Sequence, residues 1–208
     1  MTSEVTYKVF GILSLMIVIS CGDGNDSSPT TPRPTQSAGT ETPASPVAKI
    51  APLPASQRIA NIGLSTPESV LYDPQTDLYL VSNIQGSPVE MDDNGFITRL
   101  NPDGTVKDLK WIDGTKDDVT LSAPKGMALS ADTLYVSDID HVRLFDRATG
   151  APKGSIKVIN ASFLNDMAIG PDGTIYVSDS GVRGTPKGLE PTGTDAVYRI
   201  QGKRAVKV

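Results

Sequence analysis

The chain has 208 residues, 38% hydrophobic and 21% charged, enough apolar material for one ordinary domain or slightly more. Its formal net charge of −5 leaves no broad basic field, so nucleic acid is not expected as a partner. The single cysteine, Cys21, cannot close an internal disulfide and lies outside the repeated part of the chain, which removes thiol nucleophiles and thiolate metal clusters from the folded region.

From the N-terminus, Val9 to Ser20 is an apolar run of 12 residues preceded by Lys8. A membrane span needs about 20 such residues, so the run suits the core of a signal peptide better than an anchor. It ends at Val18-Ile19-Ser20-Cys21, which resembles a bacterial lipoprotein signal. The resemblance implies cleavage after residue 20 and a lipid on the Cys21 sulfur. The expected partner is then a membrane of the cell envelope, with the protein on the periplasmic side or at the outer membrane. Between Gly22 and Ala55 come seven prolines and nine Ser/Thr in 34 residues, with almost no large apolar side chains. Such composition cannot offset ordering entropy, so residues 21–57 read as a disordered tether.

The remainder, 58–208, reads as strands throughout, with one block occurring three times. Its copies begin Pro67-Glu68-Ser69-Val70, Pro124-Lys125-Gly126-Met127 and Leu164-Asn165-Asp166-Met167, and each leads to a Tyr-rich core ending in Ser82, Ser137 or Ser178. The marker serines are 55 and 41 residues apart, close to the period of four-stranded propeller blades. A turn such as Pro171-Asp172-Gly173 joins the first two strands, and two further β runs follow, the last being Val106 to Leu109 in the first unit and Ser155 to Ile159 in the second. The expectation is an all-β propeller with about three blades, near 62–114, 121–160 and 161–208. Closed propellers have about 4–8 blades, which points to a truncated six-bladed ring, a dimer that completes one, or a last unit of unusual shape. Open blade faces would favour self-association.

Superposing the copies puts Glu68, Lys125 and Asn165 at one equivalent position, the start of the innermost strand, which in a propeller faces the central channel. Ser69, Gly126 and Asp166 follow them. Glu68 and Asn165 offer hard oxygen ligands suited to Ca²⁺ or another divalent cation, although Ca²⁺ takes about 6–8 oxygens and these supply only part of a shell. Lys125 admits two readings: it pairs with Glu68 and fills the channel, or it repels a metal. His141, the only histidine, is conceivable as a general base but reads better as a turn residue. Asn94-Gly95 reads as a hairpin turn, the acid clusters Asp138-x-Asp140 and Asp92-Asp93-Asn94 lack the spacing of an EF-hand loop, and Asp117-Asp118 reads as part of a solvated charged loop.

On Pro67-Glu68-Ser69-Val70-Leu71-Tyr72-Asp73 and Asn165-Asp166-Met167-Ala168-Ile169-Gly170-Pro171-Asp172-Gly173, the chain resembles the gluconolactonase and regucalcin-like family of six-bladed propellers, which includes luciferin-regenerating relatives. It is also similar to NHL-repeat propellers, which often bind without catalysing. The first resemblance implies that Glu68 is a metal ligand and Asn165 a metal or substrate ligand; their neighbours Asp166 and Lys125 are read as further candidates for substrate binding. The implied activity is metal-assisted opening of a lactone or similar ester. The family's remaining ligands lie in blades four and five, beyond these three units, and Ser69 stands where many relatives have glycine.

Overall fold

The computed structural model describes residues 58–208; the expected signal peptide (1–20), the Cys21 lipid site and the tether (21–57) lie outside the described residues. No helix of the described residues is long and apolar enough to cross a membrane. Every regular element is a strand, in three successive four-stranded antiparallel meanders. Blade 1 holds β1 (Pro67–Asp73), β2 (Leu78–Asn83), β3 (Phe96–Leu100) and β4 (Val106–Asp113). Blade 2 holds β5 (Pro124–Ser130), β6 (Thr133–Asp138), β7 (His141–Asp146) and β8 (Pro152–Lys157). Blade 3 holds β9 (Leu164–Ile169), β10 (Ile175–Asp179), β13 (Ala196–Gln201) and β14 (Arg204–Lys207), with a separate hairpin of β11 (Val182–Thr185) and β12 (Gly188–Pro191) between β10 and β13. The protein is thus all-β, and its sheets are blades of a β-propeller-like fold.

Local chemistry explains the turns. Between β9 and β10, the Gly170 amide donates to Thr174 O at 2.8 Å, Asp172 accepts from the Thr174 amide, and Gly173 takes φ +81°. That positive φ is open to glycine at little steric cost. Two sequence expectations are corrected and one element is added. Asn94-Gly95 is no two-residue hairpin: it closes a long connection (84–95), and the Gly95 amide bonds Leu121 O at 3.0 Å to tie blade 1 to the approach of blade 2. The fourth strand of blade 2 begins at Pro152, not Ser155, because an edge strand tolerates a proline without its amide. The hairpin β11–β12 is an addition the sequence reading did not contain.

The core lies between blades, not within them. Leu80, Ile97 and Ile112 of blade 1 meet Met127, Leu134, Val136 and Phe145 of blade 2, all buried. On the other face of blade 2, Ala128, Val142 and Ile156 meet Leu164, Met167, Ile175, Val177 and Tyr198 of blade 3. Blade 2 therefore buries both faces, which is why its strands read as near-continuous apolar runs. At the far end of β1, Arg147 of blade 2 bonds the buried Asp73 carboxylate through two nitrogens. Burial alone would raise the Asp73 carboxyl, but hydrogen bonds from Arg147, the Gln75 amide and Thr76 hold it below the usual carboxylate range.

Candidate functional site

The three inner strands β1, β5 and β9 lie side by side with β5 in the middle, and each carries the same irregularity at its start. In blade 1 the register jumps from Pro67↔Asn83 to Val70↔Val81, so Glu68 and Ser69 oppose Ser82 alone. In blade 2, Lys125 and Gly126 oppose Ser137, and in blade 3, Asn165 and Asp166 oppose Ser178. Two residues against one is a β-bulge, a device that re-aims side chains and leaves backbone groups without ladder partners. The marker serines supply those partners. Ser82 Oγ accepts from the Ser69 amide at 3.0 Å and Ser178 Oγ from the Asp166 amide at 3.0 Å. Ser137 Oγ lies 3.2 Å from Gly126 O and also against Asn165 O of the next blade.

The residue after each serine forms a second repeated device. Asn83 Oδ1 accepts from the Ser65 amide, Asp138 Oδ1 from Ala123 at 2.7 Å and Ser122 at 3.2 Å, and Asp179 Oδ1 from Phe163 at 2.9 Å. All three are buried. Each fastens the segment that feeds its own inner strand, so the bulge is held from both sides.

At Gly126 the middle strand crowds the third. A Cβ there would stand 2.6 Å from Asn165 O and 2.7 Å from both Asp166 Cα and Met167 N. This contact keeps the bulges of blades 2 and 3 adjacent, and with them Lys125, Asn165 and Asp166.

The bulge side chains have different environments. Glu68 is exposed, and no described residue hydrogen-bonds its carboxylate. Desolvation by the surrounding strand ends raises its carboxyl, the Lys125 ammonium opposes that rise, and the Asp166 carboxylate adds to it. Asn165 is half-buried and donates from Nδ2 to Ser180 Oγ at 3.2 Å, leaving its Oδ1 without a described donor. Asp166 is exposed, and one of its oxygens accepts from the Met167 amide at 2.8 Å; it does not bond Asn165. Lys125 is 1% exposed, the opposite of the open channel residue the sequence suggests. Its Nζ donates to Ala123 O at 2.9 Å and sits 4.4 Å from the centre of the Phe163 ring. Burial pulls this ammonium down to about 8, with the Asp138 and Glu68 carboxylates opposing. Ala123, Phe163 and Ser180 are site neighbours that sequence reasoning missed; only their adjacency to the repeated block pointed to them.

His141 is not part of this cluster: its Nδ1 lies 2.5 Å from Asp140 Oδ1, whose partner oxygen meets Lys157 at 3.2 Å. Asp93 accepts from Ser122 Oγ at 2.9 Å and so serves the 84–95 connection. Below the bulges, Leu71, Met127, Leu129, Met167 and Ile169 line an apolar hollow of about 390 Å³ between the inner strands. A larger open groove of about 620 Å³ lies between residues 87–90 and the β11–β12 hairpin, but Glu90 is its one ionisable lining residue, so the polar chemistry converges at the bulges instead.

For a divalent cation, the donor set is the Glu68 carboxylate, Asn165 Oδ1 and the remaining Asp166 oxygen. Hard oxygens fit such an ion. Among the described residues, however, no three His, Cys, Asp or Glu side chains gather at metal-binding distance. These oxygens are therefore not gathered into a metal centre by the described side chains alone.

No family model matches this chain, and no curated protein does. A crystal structure of a protein provisionally described as a gluconolactonase is 19% identical to it with a TM-score of 0.46, covering 69% of this chain and 47% of the other. The chain thus spans about half the length of that structure. At this identity and score the likeness bears on neither the site nor the activity.

Proposed function

We propose that this is an exported, lipid-anchored protein whose propeller-like domain binds a lactone or related ester at the bulge cluster and opens it hydrolytically with the help of Ca²⁺ or another divalent cation. The observation that supports the reading is that Glu68, Asn165 and Asp166 sit at equivalent bulges of the two inner strands flanking the one that carries the buried Lys125. Cys21 would hold the lipid at the cell envelope.

Hydrolysis adds a water oxygen to the ester carbonyl carbon and breaks the ring C–O bond, with the water's proton ending on the released alkoxide. Glu68 and Asn165 carry the oxygens that would hold the cation. A bound divalent ion supplies polarisation of the carbonyl and of the attacking water. The free Asp166 oxygen can accept from a substrate hydroxyl, while its other oxygen is fixed by the Met167 amide. Lys125 adds positive potential behind the reacting oxygen, strengthened by its dry surroundings.

The test is a pH-stat assay with a soluble sugar lactone and added calcium. Hydrolysis above the spontaneous rate, lost with a chelator and in Glu68→Gln, supports the reading. A rate equal to the spontaneous one overturns catalysis. It would leave the second reading, an envelope-bound binding module without chemistry. That alternative is favoured by Lys125, whose bulge position equivalent to Glu68 and Asn165 carries a buried ammonium instead of an oxygen ligand.

A further inference from the structure

We propose that a second copy of this chain docks head to tail, the outer face of its blade 1 against the outer face of blade 3, so that two copies close one ring. The inference is independent of the hydrolytic reading, because it concerns the faces of the blades and not their chemistry.

The packing between successive blades carries it. The strand registers align Leu71, Leu80 and Ile97 of blade 1 with Ala128, Tyr135 and Val142 of blade 2 and with Ala168, Tyr176 and Val197 of blade 3. In blades 1 and 2 this set lies against the following blade, where Leu80, Ile97, Ala128 and Val142 are buried. In blade 3 the same set faces outward: Ala168 is exposed and Val197 is 46% exposed. Ala168, Tyr176 and Val197 border a hollow of about 230 Å³ there.

The side chain that packs on this set also repeats. Met127 of blade 2 joins the cluster of Leu80 and Ile97, and Met167 of blade 3 joins that of Ala128 and Val142. Their registers, Met127↔Val136 and Met167↔Val177, match Val70↔Val81, so Val70 is the blade 1 member of the series. It is 65% exposed, on a face that also shows Tyr72 and Tyr79 to solvent with their rings 5.2 Å apart. Exposed apolar side chains gathered on one face mark an interaction surface. The hollow on blade 3 is thus of the kind that a residue at the position of Val70 fills at both observed junctions, and a second copy brings that residue on a matching blade.

A face that pairs with a different face makes a heterologous contact, which ends in a closed ring only if the rotation closes. Three blades from each copy give six, within the range of about 4–8 that closed propellers hold. The inner strand β9 would then lie beside β1 of the second copy, as β5 lies beside β1 and β9. The Asn165-Asp166 bulge would adjoin the second copy's Glu68-Ser69 bulge, and the polar cluster would be shared between copies.

The experiment uses the full chain with Cys21→Ser, which removes its only thiol, in two further forms, Val70→Cys and Val197→Cys. Each is treated with a short thiol-to-thiol cross-linker, alone and after mixing, and sedimentation gives the mass. The expected result is a mass of twice the chain, with cross-linked pairs in the mixture and none in either form alone. Val70→Asp and Val197→Asp should each weaken the pairing by roughly tenfold or more, since a carboxylate would be buried without a partner. Cross-linking within Val70→Cys alone shows like faces pairing and overturns the inference. So do masses beyond two copies, or association that the aspartates leave unchanged, which places it elsewhere on the chain. A monomer overturns it as well, whether its Val70→Cys thiol labels freely or is shielded by residues 1–57 of its own chain.

Discussion

Each inner strand opposes two bulge residues to one serine, and the two sides of that arrangement behave in opposite ways. On the second strand the residues repeat: Ser82, Ser137 and Ser178, then Asn83, Asp138 and Asp179. They are spent on backbone amides and carbonyls. On the inner strand the equivalent residues differ in every blade, as Glu68-Ser69, Lys125-Gly126 and Asn165-Asp166, and two of the side chains with oxygen donors remain open to solvent. Repetition marks the positions every blade needs to hold its bulge; divergence marks the positions freed for a task particular to the whole ring.

Replacing a repeated residue should cost stability, and the largest effect is expected at Asp138. Asp138→Ala leaves Arg143 and two buried amides without their acceptor, for a loss of about 3–5 kcal/mol in chemical denaturation. A change below 1 kcal/mol there would break the distinction. Lys125 follows, with a pH signature. Its folded pKa of about 8 is below the ordinary 10.5, so the unfolded chain binds more protons between those values and stability rises with pH across that window. The gain in wild type is on the order of 3 kcal/mol and should be absent in Lys125→Met, as read from unfolding free energies at pH 8 and above pH 10.

Gly126→Ala comes next, because its Cβ would collide with backbone of blade 3; a loss of about 1–3 kcal/mol is expected, with the bulges of blades 2 and 3 pushed apart. Ser178→Ala should cost about 1 kcal/mol, the value of one hydrogen bond to the Asp166 amide. The smallest stability effect belongs to Glu68→Gln, within about 0.5 kcal/mol in thermal or chemical melts, since Glu68 supports nothing in the fold.

Much of the blade architecture was legible because it rests on local pattern. The Tyr-rich cores, the Pro-Asp-Gly and Asn-Pro-Asp-Gly turns and the serine spacing each follow from strand period and turn chemistry. The equivalence of Glu68, Lys125 and Asn165 was legible too, because the bulge occurs at the same place in every copy and leaves the superposition intact. What stayed hidden depends on register and on neighbours distant in sequence. Residues 181–195 contain Gly184, Pro186, Gly188, Pro191 and Gly193, so the pattern reads as loop although two short strands pair there. Lysine is rarely buried unpaired, and only the packing of Phe163 over Nζ and the acceptor at Ala123 O account for Lys125. The acid pair Asp138 and Asp140 shows only that it lacks EF-hand spacing; the duty of Asp138 to the Ser122 and Ala123 amides is invisible without the fold.

The central claim, that the divergent bulge residues form a ligand site while the repeated ones form its frame, is tested most directly by calcium titration calorimetry on wild type and Glu68→Gln. The account predicts calcium binding in wild type that weakens at least about tenfold in Glu68→Gln. Identical isotherms for the two proteins, or no calcium binding in wild type, would contradict it.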